Sequence, residues 1–245
     1  MTTVGLILIG NELLTGKIRD ENGYELARFC FSRGATLTTI CTVPDDTAEI
    51  AQAVNRIRTK VDILVTSGGV GPTHDDITYD AIASAFGVEC IPFEPLIQRI
   101  KSYFGSAVTD AHLKMGRLPS NASLYFPSEN HWPTVSVENV HIFPGVPHIF
   151  RAKLDSICEK INGSKKHLAV LEMLGDEGTI AELLCVCEDE FKVSIGCYPI
   201  FEEPEYNIRV TLESSVKSQV IQATNQLTKE LPSLVSNLRI SPSEG

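Results

Sequence analysis

Residues 61–86 restrict the fold more than any other stretch. An apolar run, Val61-Asp-Ile-Leu-Val65, is followed by Thr66-Ser-Gly-Gly-Val-Gly-Pro-Thr-His-Asp-Asp-Ile-Thr78, and Ile77–Phe86 then has helical spacing. The short apolar run reads as a buried strand, and the glycines read as a strand-to-helix turn whose backbone N–H groups can come close to an anion. Two adjacent carboxylates, Asp75 and Asp76, stand at the start of the helix. Glycine amides for phosphate oxygens beside carboxylates for a metal suit a nucleotide diphosphate. The same residues also suit an N-capped helix after a glycine turn. The pattern is neither GxGxxG nor a P-loop, since no Gly-Lys-Ser/Thr comes after it.

Around this turn the chain alternates strand and helix. Val4–Ile9 reads as a buried strand, Gly10-Asn-Glu-Leu-Leu-Thr-Gly16 as a loop, and Gly23–Ser32 as a helix capped by Asp20 or Asn22. Ala35–Val43 is a second strand, and Asp45/Asp46 cap a helix running to about Lys60. This order predicts an α/β fold, a three-layer arrangement with a mostly parallel sheet and helices on both faces. Right-handed crossovers put the loops after the first and third strands on one edge, where open α/β sheets bind ligands. Residues 10–16 and 67–78 are therefore expected to share a crevice.

Residues 88–140 are less regular. Pro95–Phe104 looks helical, Ala111–Gly116 adds a turn, and Leu118–Pro127 reads as loop and then strand. Trp132–Val137 and Val140–Phe143 read as two strands around a Glu138-Asn139 turn. Pro144-Gly-Val-Pro147 is a second glycine turn with proline opening a helix to about Ile161. After a linker, Asn162–Lys166, the remainder reads as a small α+β unit in the order βαββα. The predicted organisation is a domain over 1–162, a second over 166–235, and a frayed polar tail over 236–245.

With 21 Lys and Arg against 31 Asp and Glu, the formal charge is −10, which argues against a nucleic-acid or anionic-membrane binder. A small anionic substrate stays open, because a local glycine nest and a metal can outweigh global charge. Seven scattered cysteines read as reduced thiols, and the apolar N-terminal run is too short for a signal or a span. A cytoplasmic protein is the expectation.

Together, Gly10-Asn-Glu-Leu-Leu-Thr-Gly16, Asp20-x-Asn22, Ser67–Thr78 and Pro144-Gly-Val-Pro147 resemble the molybdopterin-binding-like domain. That domain is found in molybdenum-cofactor enzymes, in CinA proteins and at the N-terminus of eukaryotic FAD synthases. The Gly-Pro-Thr-x-Asp-Asp form looks like the CinA and FAD-synthase branch, because the cofactor-synthesis branch more often carries an Arg before a single Asp. Val135–Pro147 looks like the FAD-synthase version, and the small second domain is similar to the one that CinA and FAD synthase carry after this domain. The resemblance covers roughly 1–235. Neither a CinA-type amidohydrolase domain nor a PAPS-reductase-like domain is visible in the sequence, so this chain is not expected to make FAD. The resemblance implies metal-assisted cleavage of a dinucleotide diphosphate: FAD to FMN and AMP, or ADP-ribose to AMP and ribose 5-phosphate. Dimers or trimers of the chain are a further expectation of the same kind.

Under that resemblance, Ser67, Gly68, Gly69 and Gly71 cradle phosphate, and Asp75 or Asp76 holds a divalent cation, Mg²⁺ or Co²⁺. Glu12 is the candidate carboxylate from across the crevice, or else a solvated loop residue. The hydroxyls of Thr73 and Thr78 bond phosphate or fix the carboxylates. Gly10, Asn11, Asp20 and Asn22 match family positions, and Pro144, Gly145 and Pro147 form a far wall. His74 is an acid–base candidate or a surface residue. His112, His131, His141, His148 and His167 show no ligand spacing. Trp132 and Tyr125 either stack on a flavin or adenine ring or pack in the core and hairpin. Two alternatives remain: an adenylyltransferase acting on molybdopterin, and a non-catalytic regulatory module of an FAD-synthase system.

Overall fold

The computed structural model describes residues 1–126, 132–161, 163–201 and 203–241. Pro127, His131, Asn162 of the linker and positions 242–245 of the tail lie outside the described residues. The chain divides into two compact units, Met1–Gly163 and Ser164–Gly245.

The first unit begins with β1 (Thr3–Ile9), a one-turn helix α1 (Asn11–Leu14), α2 (Asn22–Ser32), β2 (Thr36–Val43), α3 (Thr47–Arg58), β3 (Ile63–Ser67) and α4 (Thr78–Phe86). It continues with β4 (Cys90–Pro92), α5 (Glu94–Phe104), α6 (Asp110–Lys114), β5 (Arg117–Pro119) and β6 (Ser123–Tyr125). It closes with β7 (Thr134–Val137), β8 (Val140–Phe143) and α7 (Pro147–Leu154), which runs on into a 3-10 segment, Asp155–Lys160. The expected loop over residues 10–16 thus contains a helical turn.

Among the described residues, six strands form a sheet in the order β2-β1-β3-β8-β7-β6. The β2/β1, β1/β3 and β3/β8 pairs are parallel, and β7 runs antiparallel to β8 and to β6. Both faces are covered, in keeping with the apolar run Leu6–Ile9 of β1, every residue of which is buried. Leu6 and Leu8 pack with Leu26 of α2 and Phe150 of α7, while Ile7 and Ile9 pack with Ile50 and Val54 of α3 and Ile82 of α4. The Glu138-Asn139 turn forms as expected, with Glu138 at φ 50 and the Asn139 amide donating to the carbonyls of Arg58 at 2.8 Å and Val61 at 3.0 Å. Gly87, at φ 65, ends α4 in the left-handed conformation that glycine adopts at little cost.

The second unit contains β9 (His167–Leu174), α8 (Glu177–Phe191), β10 (Ser194–Pro199), β11 (Ile208–Ser214), α9 (Lys217–Glu230) and β12 (Ser236–Ser241). Its sheet is antiparallel in the order β10-β11-β9-β12. The expectation of a frayed tail from 236 is corrected here. Residues 236–241 pair with β9, and Arg239 Nε donates to Glu172 Oε2 at 2.8 Å, with the Ser241 hydroxyl on the same oxygen. Arg209 Nη2 donates to Glu172 Oε1 at 2.7 Å. Burial works to raise the Glu172 pKa. Hydrogen bonds from Ser241, Arg209 and Arg239 outweigh that and bring it down to about 2. All seven cysteines are free thiols. Among the described residues, no helix is long and apolar enough to cross a membrane.

Candidate functional site

The site is built where three parallel strands end together. Leu8 of β1 is in register with Ser67 of β3, and Ser67 with Phe143 of β8. Gly68 sits among them. Its N–H donates to Phe143 O at 3.1 Å, and a Cβ on it would stand 2.2 Å from Ile9 O. Its φ of 115 is open to glycine and rarely to other residues. A Cβ on Gly145 would stand 3.3 Å from Gly68 Cα, so the loops after β3 and β8 touch through glycine. Asn22, at the start of α2, donates to Ser67 Oγ at 2.8 Å and to Gly145 O at 2.7 Å. Asp20 orients Asn22 by accepting its backbone N–H at 2.9 Å. The Asn22 side-chain oxygen is buried without a partner.

The turn after β3 is held by its own side chains. The Thr78 hydroxyl donates to Gly68 O at 2.9 Å, and Thr78 N–H donates to Gly69 O at 3.0 Å. Asp76 Oδ2 accepts the Thr73 N–H at 2.8 Å. The Thr73 hydroxyl lies 2.5 Å from both Asp75 Oδ1 and Asp76 Oδ2 and bridges the two carboxylates. The bond from Thr73, with a backbone amide, holds the Asp75 carboxyl below the usual carboxylate range. Neither aspartate caps α4, whose N-cap is Ile77 with no side-chain bond. From α6, Lys114 Nζ donates to the carbonyls of Asp76 at 2.9 Å and Thr73 at 3.3 Å, fastening the loop from outside.

These loops border a cavity of about 640 Å³, a size suited to a small molecule. Carboxylates on its wall include Glu12, Asp20, Asp45, Asp75 and Asp76, and apolar lining comes from Tyr79, Leu96, Met115, Trp132, Val135 and Ile142. Asp46 caps α3 by accepting from Ala48 and Glu49 N–H, which frees Asp45 to accept from Asn11 N–H at 2.9 Å. Lys153 of α7 also lines the cavity while being only 7% exposed. Its ammonium donates to the carbonyls of Trp132 and of Pro133, the latter at 2.9 Å, and burial pushes its pKa down to about 8.

Of the residues proposed from sequence, Glu12, Ser67, Gly68, Gly69, Gly71, Asp75, Asp76, Pro144 and Gly145 line this cavity, as do Asp20, Asn22, Pro147 and Trp132. Gly10, Asn11, Thr73, Thr78, Tyr125 and His74 are outside that lining. Two roles are corrected. The Gly68 N–H is committed to Phe143 O and cannot cradle phosphate, and the buried Thr78 hydroxyl is committed to Gly68 O. The His74 side chain is 99% exposed. Sequence reasoning missed Asp45, Lys114 and Lys153, each of which acts through a backbone partner distant in sequence. Among the described residues, no group of three or more His, Cys, Asp or Glu side chains forms a metal cage. Asp75 and Asp76 offer a two-carboxylate foothold, which suits a Mg²⁺-type ion that keeps waters and takes other ligands from substrate phosphates.

Residues 5–162 match the family model described as a probable molybdopterin binding domain, and residues 165–238 match the FAD synthase middle domain. A protein of Archaeoglobus fulgidus is 30% identical over 227 residues, 92% of this chain and 96% of that one. A probable FAD synthase of Caenorhabditis elegans is 25% identical over 259 residues, 94% of this chain and 50% of that one, so this chain spans about half of that protein. Among solved structures, the CinA protein of Thermoplasma acidophilum, of unknown function, matches with a TM-score of 0.60 at 29% identity, over 66% of this chain and 98% of that chain.

Proposed function

The chain belongs to the molybdopterin-binding-domain family and continues into an FAD synthase middle domain, and on that premise we propose that it is a metal-dependent nucleotide pyrophosphatase. The substrate is a dinucleotide diphosphate, FAD or ADP-ribose. The observation that carries this reading is the Thr73 hydroxyl bridging Asp75 and Asp76, two carboxylates on the wall of one cavity with the glycine turn. The N–H groups of Gly69, Val70 and Gly71 make no hydrogen bond among the described residues and are left for phosphate oxygens.

Asp75 and Asp76 would hold a divalent cation, which would supply positive charge against the diphosphate and lower the pKa of a bound water. Thr73 fixes those carboxylates and Lys114 fixes the backbone of the loop that carries them before substrate arrives, which limits reorganisation during the reaction. Glu12 takes the proton from the water as its oxygen adds to one phosphorus. The bridging P–O bond breaks, and its electron pair leaves on the other phosphate.

The test is incubation of the purified protein with FAD, ADP-ribose and NAD, each with Mg²⁺, with Co²⁺ and with EDTA, resolving AMP and FMN. AMP release that needs metal and disappears in Asp76→Asn is the expected result. A folded protein that releases no AMP from any of the three overturns the proposal. The match to a probable molybdopterin binding domain supports a second reading, adenylylation of a pterin phosphate, which ATP-dependent turnover of that pterin would reveal.

A further inference from the structure

Lys153 plays no part in the proposed hydrolysis, yet it is the most buried cation on the cavity wall. Arg19, the other cation there, is exposed. An ammonium has three N–H groups, and two of them are committed to the Trp132 and Pro133 carbonyls. No carboxylate pairs with Lys153 among the described residues. A buried charge compensated only by two carbonyl dipoles gains strongly from one further oxygen acceptor. Beside it the wall is apolar and aromatic, with the partly exposed Trp132 offering a face for a flat ring over the buried Val135 and Ile142.

We propose that this wall is a ring subsite, where Lys153 selects a planar heterocycle with an oxo or imide oxygen on its edge. An isoalloxazine, a pterin or an oxopurine offers the ammonium an acceptor. Adenine carries an amino donor where those rings carry the oxygen, and leaves the ammonium only a flanking ring nitrogen as acceptor. With the phosphates against the glycine turn, as the pyrophosphatase reading has them, a flavin dinucleotide lies with its flavin at Trp132 and its adenylate directed away. Of the two proposed substrates, this favours FAD over ADP-ribose, whose only aromatic ring system is adenine.

The chain has a single tryptophan, Trp132, so tryptophan fluorescence has its one source on this wall. Titration of the full chain with FMN, IMP and AMP, read as quenching of Trp132, is the test. IMP and AMP differ chiefly in oxo against amino at one ring position. FMN and IMP are expected to quench at concentrations at least tenfold below AMP, and Lys153→Met is expected to erase that preference while leaving the AMP curve in place. AMP quenching as readily as IMP in the unaltered protein overturns the proposal, as does a Lys153→Met variant that weakens all three ligands equally. If Lys153→Met fails to fold, the IMP and AMP comparison in the unaltered protein decides. Because the readout requires no turnover, failure here leaves the hydrolase reading standing, and absence of AMP release leaves this one standing.

Discussion

The side-chain amide of Asn22 donates to the Ser67 hydroxyl across 2.8 Å, joining the start of α2 to the end of β3. The same nitrogen reaches Gly145 O at 2.7 Å, so one buried residue fastens two loops of the candidate site. Asn22→Ala strands the buried Ser67 hydroxyl and unties the Gly145 carbonyl, and a loss of about 1–2 kcal/mol is expected. Urea denaturation would measure it, and turnover should fall by more than the stability loss alone explains.

Two glycines of the same turn should respond to alanine in opposite ways. Gly68→Ala combines a φ of 115 with a Cβ 2.2 Å from Ile9 O, and a cost of about 3 kcal/mol or more is expected. Gly71 has no positive φ, and the nearest group a Cβ there meets is the Asp76 carboxylate, at 2.7 Å. Gly71→Ala should keep its melting temperature within a few degrees while losing activity. Thermal melts beside AMP-release assays separate the two.

Thr73 has one hydroxyl for two carboxylates, and its loss should be felt through them. Thr73→Val is expected to lower turnover about 10–100-fold, as loss of an outer-shell partner does at metal sites, and to raise the metal concentration needed for half activity. Thr73→Ser should retain most of both. Equal metal requirements in all three proteins would count against the bridging role.

The second unit should be acid-sensitive through Glu172. Its folded pKa, about 2, lies below the ordinary 4.5, so its contribution is complete above about pH 4.5 and is lost as pH falls through 2. With the Arg209 and Arg239 side chains 42% and 43% exposed, solvent screening leaves this contribution on the order of 1–2 kcal/mol. Glu172→Gln should be destabilised at pH 6 and should lose most of the decline between pH 4.5 and 2. Identical pH profiles for the two proteins in chemical denaturation would refute this.

Where local pattern and tertiary structure agree, the sequence was readable. Ile50, Ala53, Val54 and Ile57 mark one face of α3, and all are buried. β3 and the glycine turn were evident because a short apolar run before glycines has few other solutions. β12 was not, since Ser236-Asn-Leu-Arg-Ile-Ser241 is polar and mostly exposed, and its order comes from backbone pairing and from Glu172, far upstream. Lys153 was equally hidden. A lysine in the last turn of a helix ordinarily complements the helix dipole in solvent, and its burial depends on the Trp132 and Pro133 carbonyls. Asp45 and Asp46 read alike as caps, and only the fold assigns Asp45 to Asn11.

The reversal of β7 has a consequence for how such a cavity can diversify. In a sheet whose other site-bearing strands deliver their carboxyl ends to the cavity, β7 delivers its amino end, which carries Trp132 and Pro133 to the same rim. The aromatic side of the cavity therefore enters through the segment leading into an antiparallel strand, while the glycine and aspartate side leaves from parallel ones. Changes in length or composition before β7 can reshape what the cavity accepts without disturbing the registers that hold the turn after β3. Under the proposed function, ligand preference and reaction chemistry would then be adjustable separately.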